Sequence, residues 1–216
     1  MKNNAVKLED LEIGTIYKDN RNRFFKLFYD EYSDSPRSEF SENLATILTW
    51  EDDYDSPDEN PDTIEEFAKK HGVDVSQEWH FDDLLSAMRK EGYYAVPVYA
   101  LHHGASHYSI NDFHDKWDSG VVGIAFCKRQ DGLVDNDDYF RKVIDREVKE
   151  YDAWLNGEIY GITLLDRIGE VMDESWGYME PEEGRAKMLK DMLYCVGVNI
   201  QDEYQPAVRE VSVVLK

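Results

Sequence analysis

The stretch that most constrains the fold is residues 93–127, YYAVPVYALHHGASHYSINDFHDKWDSGVVGIAFC. It opens and closes on apolar runs, Tyr93–Leu101 and Val121–Cys127, bounded by glycine or polar clusters. Both are rich in β-branched and aromatic residues, the mark of strands. The polar loop between them carries His102, His103, His107, His114, Asp112, Asp115, Asp118 and Ser119. A polar loop held between two buried strands is a common way to present a site.

Around this pair the chain mixes strand and helix signals. Phe24–Phe28 and Leu44–Trp50 read as strands that could pair across a turn at Ser35-Pro36-Arg37, and a short strand is expected near Gly14–Tyr17. Asn60-Pro61 reads as a helix start, with Asn capping and Pro at the first helical position, and Gly72 as the stop after His71. Trp79, Phe81, Leu84, Leu85 and Met88 recur at helical spacing, giving a second helix over 79–91. A longer helix over 136–156 carries the stripe Phe140, Val143, Ile144, Val148, Tyr151, Trp154 and Leu155. Strands at Glu158–Leu165 and Val171–Tyr178 would form a hairpin around Asp166–Gly169. Pro181 would open a helix with Met188, Leu189, Met192 and Leu193 on one face, and Val208–Leu215 alternates like a half-buried strand. No regular βαβ repeat runs through these elements, so the expected class is α+β, a mainly antiparallel sheet with several packed helices. A chain of 216 residues can bury a core of its own, and a single domain over 1–216 is expected. An acidic loop at about 51–60 and a C-terminal helix–strand segment at about 180–216 would be its appendages.

Charge narrows the function. There are 46 acids against 24 bases, a net charge of −22. That charge repels nucleic acid and anionic membrane, and a duplex-binding surface needs the lysines and arginines that this chain lacks. Direct duplex binding is therefore not expected. An acidic surface suits basic partners instead, including the nucleic-acid channels of other proteins. The densest charge is at residues 51–66, with nine acids and no base: Glu51, Asp52, Asp53, Asp55, Asp58, Glu59, Asp62, Glu65 and Glu66. Runs of this kind are ordinarily solvated loop. The two cysteines, Cys127 and Cys195, fall on an expected strand and helix and form no CxxC. Both read as small core residues. No window approaches the about 18 apolar residues of a membrane helix. The opening MKNNAVKLEDLEIG has no apolar secretory segment, so the cytoplasm is the expected compartment.

Four stretches carry a resemblance. Tyr29-Asp30-Glu31, Ser35-Pro36-Arg37 and Asn43-Leu44-Ala45-Thr46 are similar to a YDE…SPRE…DNLGTM pattern. Pro97-Val98-Tyr99, His103-Gly104 and Trp117–Gly123 are similar to LP-x-Y…HSG…WDSGQVG. Val148–Gly161 is similar to VEEYDQYLTGDVYGF, and Glu174–Tyr178 to DSCWGFYG. In this order they resemble an uncharacterised family of proteins from bacteriophages, plasmids and other mobile elements, over most of residues 29–178. The chain departs from that pattern at Ala45, where the family often has Gly, and at Ala105 and Ser106. Its acidic segment after Trp50 stands where the family is more basic, and the last forty residues lie outside the resemblance. The resemblance implies a mobile-element origin and a shared fold, and brings no catalytic residue with it.

Four of the six histidines fall between 102 and 114 with three aspartates nearby. Imidazole and carboxylate together suit a divalent metal, but the HH-x3-H-x6-H spacing matches no metal motif. Solvated or hydrogen-bonded structural histidines are the plainer reading, and neither a metal nor a cofactor is expected. Asp118-Ser119-Gly120 reads as a turn launching the following strand, with glycine supplying positive φ. Arg37 sits among acids and would pair with Asp30, Glu31 or Asp34, or else serve as an anion-binding fork. Two functions are left. In the first, the acids of 51–66, with the 30–42 loop and Asp131–Asp138, imitate DNA charge. An acidic accessory protein of a phage or mobile element would then inhibit a host restriction or CRISPR complex, a basic protein or nucleoprotein. In the alternative, His103, Asp118 and Arg37 form the centre of a small RNase acting on a partner's RNA, built on the loop 102–118.

Overall fold

Among the described residues the apolar runs form ten strands and the helical stripes four helices. In chain order these are β1 (Val6–Lys7), β2 (Ile16–Lys18), β3 (Phe24–Tyr29), β4 (Thr46–Thr49), α1 (Ile64–Lys70), α2 (Phe81–Lys90), β5 (Tyr93–His103), β6 (Ala105–Ser109), β7 (Ser119–Lys128), α3 (Asp137–Leu155), β8 (Tyr160–Leu165), β9 (Val171–Tyr178), α4 (Arg185–Cys195) and β10 (Glu203–Pro206). A 3-10 turn spans Leu8–Asp10. The structure, a computed structural model, describes residues 5–38, 42–129 and 136–207. The expected strand Val208–Leu215 lies outside them. Among the described residues every strand pair is antiparallel, and the fold is α+β.

The chain divides into two compact units, residues 1–33 with 157–216 and residues 34–156, where sequence led us to expect one domain. The first unit holds a six-stranded sheet ordered β1-β10-β2-β3-β8-β9. Helix α4 lays Met188, Leu189, Met192 and Leu193 on Tyr17, Phe25, Leu27, Ile162, Leu164 and Tyr204. Each such side chain, fully buried, contributes about 1.5–3 kcal/mol. Helix α4 starts at Arg185, after Gly184 at φ 87°, and not at Pro181. Pro181 instead accepts the Gly184 amide at 2.8 Å, closing a turn before the helix.

The second unit is three-layered. Its four-stranded sheet, β4-β7-β5-β6, is covered on one face by α1 and α2 and on the other by α3. Side-chain alternation splits the cores. Leu48, Ala95 and Ile124 pack with Phe67, Leu84, Leu85 and Met88, whereas Ile47, Val96, Val98 and Ala125 pack with Ile144 and Val148 of α3. Gly123 lies so close to β4 that a Cβ there would meet the Leu48 carbonyl oxygen at 2.0 Å.

Two further sequence expectations need correction. Strands β3 and β4 do not pair: β3 joins β2 and β8, and β4 joins β7, in different sheets. Helix α1 begins beyond Asn60-Pro61, because Thr63 and Glu66 form a reciprocal capping box, Glu66 N to Thr63 Oγ1 at 3.3 Å and Thr63 N to Glu66 Oε2 at 2.9 Å. A capping box satisfies two orphan amides at once, where Asn60 would have satisfied one.

Candidate functional site

The acidic run leaves β4 and crosses the second unit to α1. Its nine carboxylates divide sharply. Asp52, Asp53, Asp55, Glu59, Glu65 and Glu66 are exposed, and Glu51, Asp58 and Asp62 are turned inward. Glu51 Oε1 meets His102 Nε2 at 2.6 Å, and Glu51 Oε2 accepts the Tyr108 hydroxyl at 2.9 Å. Asp58 accepts the Ile47 amide at 2.7 Å, while Ser56 Oγ accepts the Thr49 amide at 3.1 Å. The Asp62 carbonyl accepts Trp50 Nε1 at 3.0 Å, and its carboxylate takes Lys70 at 2.6 Å. A segment with two prolines and no regular structure is thus pinned at four points, and the exposed carboxylates are displayed from an ordered backbone.

Arg37 does not pair with Asp30, Glu31 or Asp34. Its guanidinium, 2% exposed, donates Nε and Nη2 to Asp58 at 2.9 and 2.5 Å, Nη1 to Glu147 at 2.8 Å, and Nη2 to the Ala45 carbonyl at 2.6 Å. Burial works against its charge, but the hydrogen bonds and charges of Asp58 and Glu147 outweigh it and bind the proton more tightly than usual. Glu147 also accepts the amides of Leu44 at 2.9 Å and Ala45 at 3.2 Å. The knot fastens the approach to β4 onto α3, and leaves Arg37 neither exposed nor available as an anion fork. Nearby, burial and the Glu147 charge push the Cys127 thiol up to about 12. Sequence reasoning passed over Glu147. The signal was there: Glu147 falls on the apolar stripe of α3, between Ile144 and Tyr151, where a charge requires a partner.

The histidines disperse. His102 pairs with Glu51, His103 with Asp118 at 2.9 Å, His107 with Asp152 at 3.4 Å and His114 with Asp112 at 3.4 Å. Among the described residues no group of three or more His, Cys, Asp or Glu side chains could hold a metal ion. The expected loop 102–118 is largely ordered: His102 and His103 end β5, β6 turns back beside them, and β5 pairs directly with β7. The turn that launches β7 is made by Asp115, whose carboxylate accepts the amides of Trp117 at 2.8 Å and Asp118 at 3.0 Å. Those two bonds hold the Asp115 carboxyl below its usual range. Gly120 is not in the positive-φ region expected for it; it lies in the ladder opposite Ala100. Of the three residues weighed for an RNase, the structure brings His103 and Asp118 together on the surface and ties Arg37 into the knot.

On the α3 face of the sheet, His102 occupies the centre of a polar chain. Its Nδ1 faces Ser106 Oγ at 3.0 Å across the β5–β6 ladder, and its Nε2 faces Glu51. A carboxylate only accepts, so in the neutral ring Nε2 carries the proton and Nδ1 accepts from the serine hydroxyl. The Tyr54 ring stacks on the imidazole at 4.8 Å and 3°. Burial, with Glu51 alongside, holds the Tyr108 phenol well above its ordinary value, so it remains a donor to that carboxylate. At the end of α3, Asp152 accepts the Tyr108 amide at 2.8 Å, and Asn156 donates to the Ser106 carbonyl at 3.0 Å. Sequence named His102 and Glu51 but not their union, which spans 51 positions of chain. Among the described residues no helix is long and apolar enough to cross a membrane. Compared with protein-family models, curated proteins and solved structures, the chain matches none.

Proposed function

We propose that the chain is an acidic accessory protein of a phage or mobile element that binds and inhibits a host nucleic-acid-handling defence complex, of the restriction or CRISPR type, by imitating DNA charge. The observation that carries this reading is the pinned acidic segment of the second unit. Six carboxylates, Asp52, Asp53, Asp55, Glu59, Glu65 and Glu66, point to solvent, while Glu51, Asp58 and Asp62 hold the backbone that carries them. Charges displayed from an ordered backbone lose less entropy on docking than charges on a free coil. The net charge of −22 supports a basic partner and disfavours direct contact with nucleic acid. The resemblance to mobile-element proteins supports the host setting, because inhibitors of defence systems suit such elements.

The test is affinity capture from host lysate, followed by titration of the captured partner at about 50 and about 500 mM salt. Exposed charge pairs are screened over about 10 Å at about 0.1 M salt, so affinity should fall steeply across that range. Replacing Asp52, Asp53, Asp55, Glu59 and Glu65 by their amides, and sparing Glu66 in its capping box, should remove binding and leave the melting curve unchanged. Affinity indifferent to salt overturns the proposal.

The RNase alternative has one observation in its favour, the His103–Asp118 pair at 2.9 Å beside Trp117, which is 92% exposed. It requires cleavage of RNA by the purified protein, lost on His103→Ala or Asp118→Ala.

A further inference from the structure

We infer that Ser106, His102 and Glu51 form a nucleophile–base–carboxylate relay able to accept an acyl group from an uncharged or cationic carboxylic ester. This goes beyond inhibition by occupancy, which needs no covalent step. The three side chains come from β6, β5 and the segment after β4, elements of one unit. Ser106 Oγ lies 3.0 Å from His102 Nδ1, and His102 Nε2 lies 2.6 Å from Glu51 Oε1. Both distances are within hydrogen-bond reach, the mutual geometry an activated serine needs. The imidazole is turned so that Nδ1 faces the serine and Nε2 faces Glu51; such relays are recognised by geometry and roles. Glu51 is held in place by the Tyr108 hydroxyl at 2.9 Å, so its second oxygen is occupied and the first stays on the ring. Tyr54 covers one face of the imidazole and holds its plane. The ring edge is not sealed: the His102 side chain is 34% exposed, and that of Glu51 only 9%.

In the step itself, Ser106 Oγ bonds to the ester carbonyl carbon as its proton passes to His102 Nδ1. The tetrahedral adduct collapses, the C–O bond to the alcohol breaks, and the departing oxygen takes the proton from His102. Solvent water then attacks the acyl-serine, giving its proton to His102, and carboxylic acid leaves as Ser106 regains its hydrogen. Glu51 keeps its charge throughout and stabilises the imidazolium, as a positioning residue. The ester must be uncharged or cationic because Asp52, Asp53 and Asp55 stand exposed on the segment that supplies Glu51 and Tyr54.

The test is labelling of the full chain with a fluorophosphonate, in which Oγ–P forms, P–F breaks and fluoride leaves, with the modified residue mapped by mass spectrometry. The expected result is modification at Ser106, absent in Ser106→Ala and slowed by about 100-fold or more in His102→Ala. Glu51→Gln should also shift the pH profile of the labelling rate, which a merely structural carboxylate would not do. p-Nitrophenyl acetate, an uncharged ester, should be hydrolysed with the same pattern. No modification of Ser106 in the folded chain overturns the inference, as does equal modification in His102→Ala. Should Ser106→Ala fail to fold, Ser106→Cys replaces it. An alkylation midpoint for the introduced thiol well below about 8.5 supports the relay, and a free-thiol midpoint overturns it.

Discussion

Replacing Arg37 by methionine tests the knot that anchors the second unit. The substitution keeps an unbranched apolar stem and removes the guanidinium with its charge, and it strands two carboxylates. Glu147 is 2% exposed and cannot rehydrate where it stands, whereas Asp58, at 20%, recovers some water. Truncating one member of a buried ion pair costs about 3–5 kcal/mol, chiefly the penalty of the charge left behind. The bonds to Glu147 and to both oxygens of Asp58 are charge-assisted, each contributing about 1.5–3 kcal/mol net, which places the expected loss toward the upper end of that range. For a unit of this size the loss corresponds to a fall in melting temperature on the order of 10–20 °C. Calorimetry and urea titration followed by far-UV circular dichroism would measure it. The double variant Arg37→Met with Glu147→Leu sharpens the reading. Removing both charges of an isolated buried pair can restore stability, but Glu147 also accepts the Leu44 and Ala45 amides, which would then lose their acceptor. Recovery should therefore be partial, with a coupling energy of about 0.5–3 kcal/mol. A loss below about 1 kcal/mol for Arg37→Met, the scale of a surface pair, would refute the argument.

The remaining predictions use other elements. Gly123→Ala should abolish folding of the second unit or cost more than the about 1–3 kcal/mol of ordinary overpacking, because the new methyl meets the Leu48 backbone; Gly161→Ala should cost less, because it meets the Phe28 ring, which can turn aside. Thermal melts of the two variants check the order. A thiol reagent at about pH 8 should modify exposed Cys195 in the native chain and spare Cys127, buried and pushed up to about 12, until the protein is denatured. Burial opposes ionisation of Asp19, but hydrogen bonds from the Arg23 backbone and side chain and from the Asn199 and Arg21 amides win, holding its pKa below the ordinary value. A lowered folded pKa contributes stability that is present above the unfolded value, about 3.9, and is lost as pH falls through the folded one. Asp19→Asn should therefore lower stability at neutral pH and flatten its decline below about pH 4, read by denaturant titration across pH.

What was legible in this sequence, and what was not, follows from the range of the forces involved. Local periodicity placed α2, α3, β5, β7 and β9 within a residue or two, because each buries a face made by its own neighbours: Leu84, Leu85 and Met88 stand on one side of α2 whatever they pack against. Pairing was harder. Phe24–Tyr29 and Thr46–Thr49 are adjacent strands in the chain and still lie in different sheets, since a strand run says which face is apolar and not which edge will meet it. The acidic segment shows the same limit more strongly. By composition Asp55 and Asp58 are equivalent, two acids in a charged, proline-broken stretch. In the structure Asp55 faces water and Asp58 takes Arg37, 21 positions away, along with the Ile47 amide. Long-range pairing of a charge leaves no local trace on an irregular segment, which has no face. On a helix it does leave one, and Glu147 within the apolar stripe of α3 is that trace. A charge on an apolar stripe should therefore be read first as half of a buried pair, and its partner sought among the cations that sequence places in polar company, as Arg37 was.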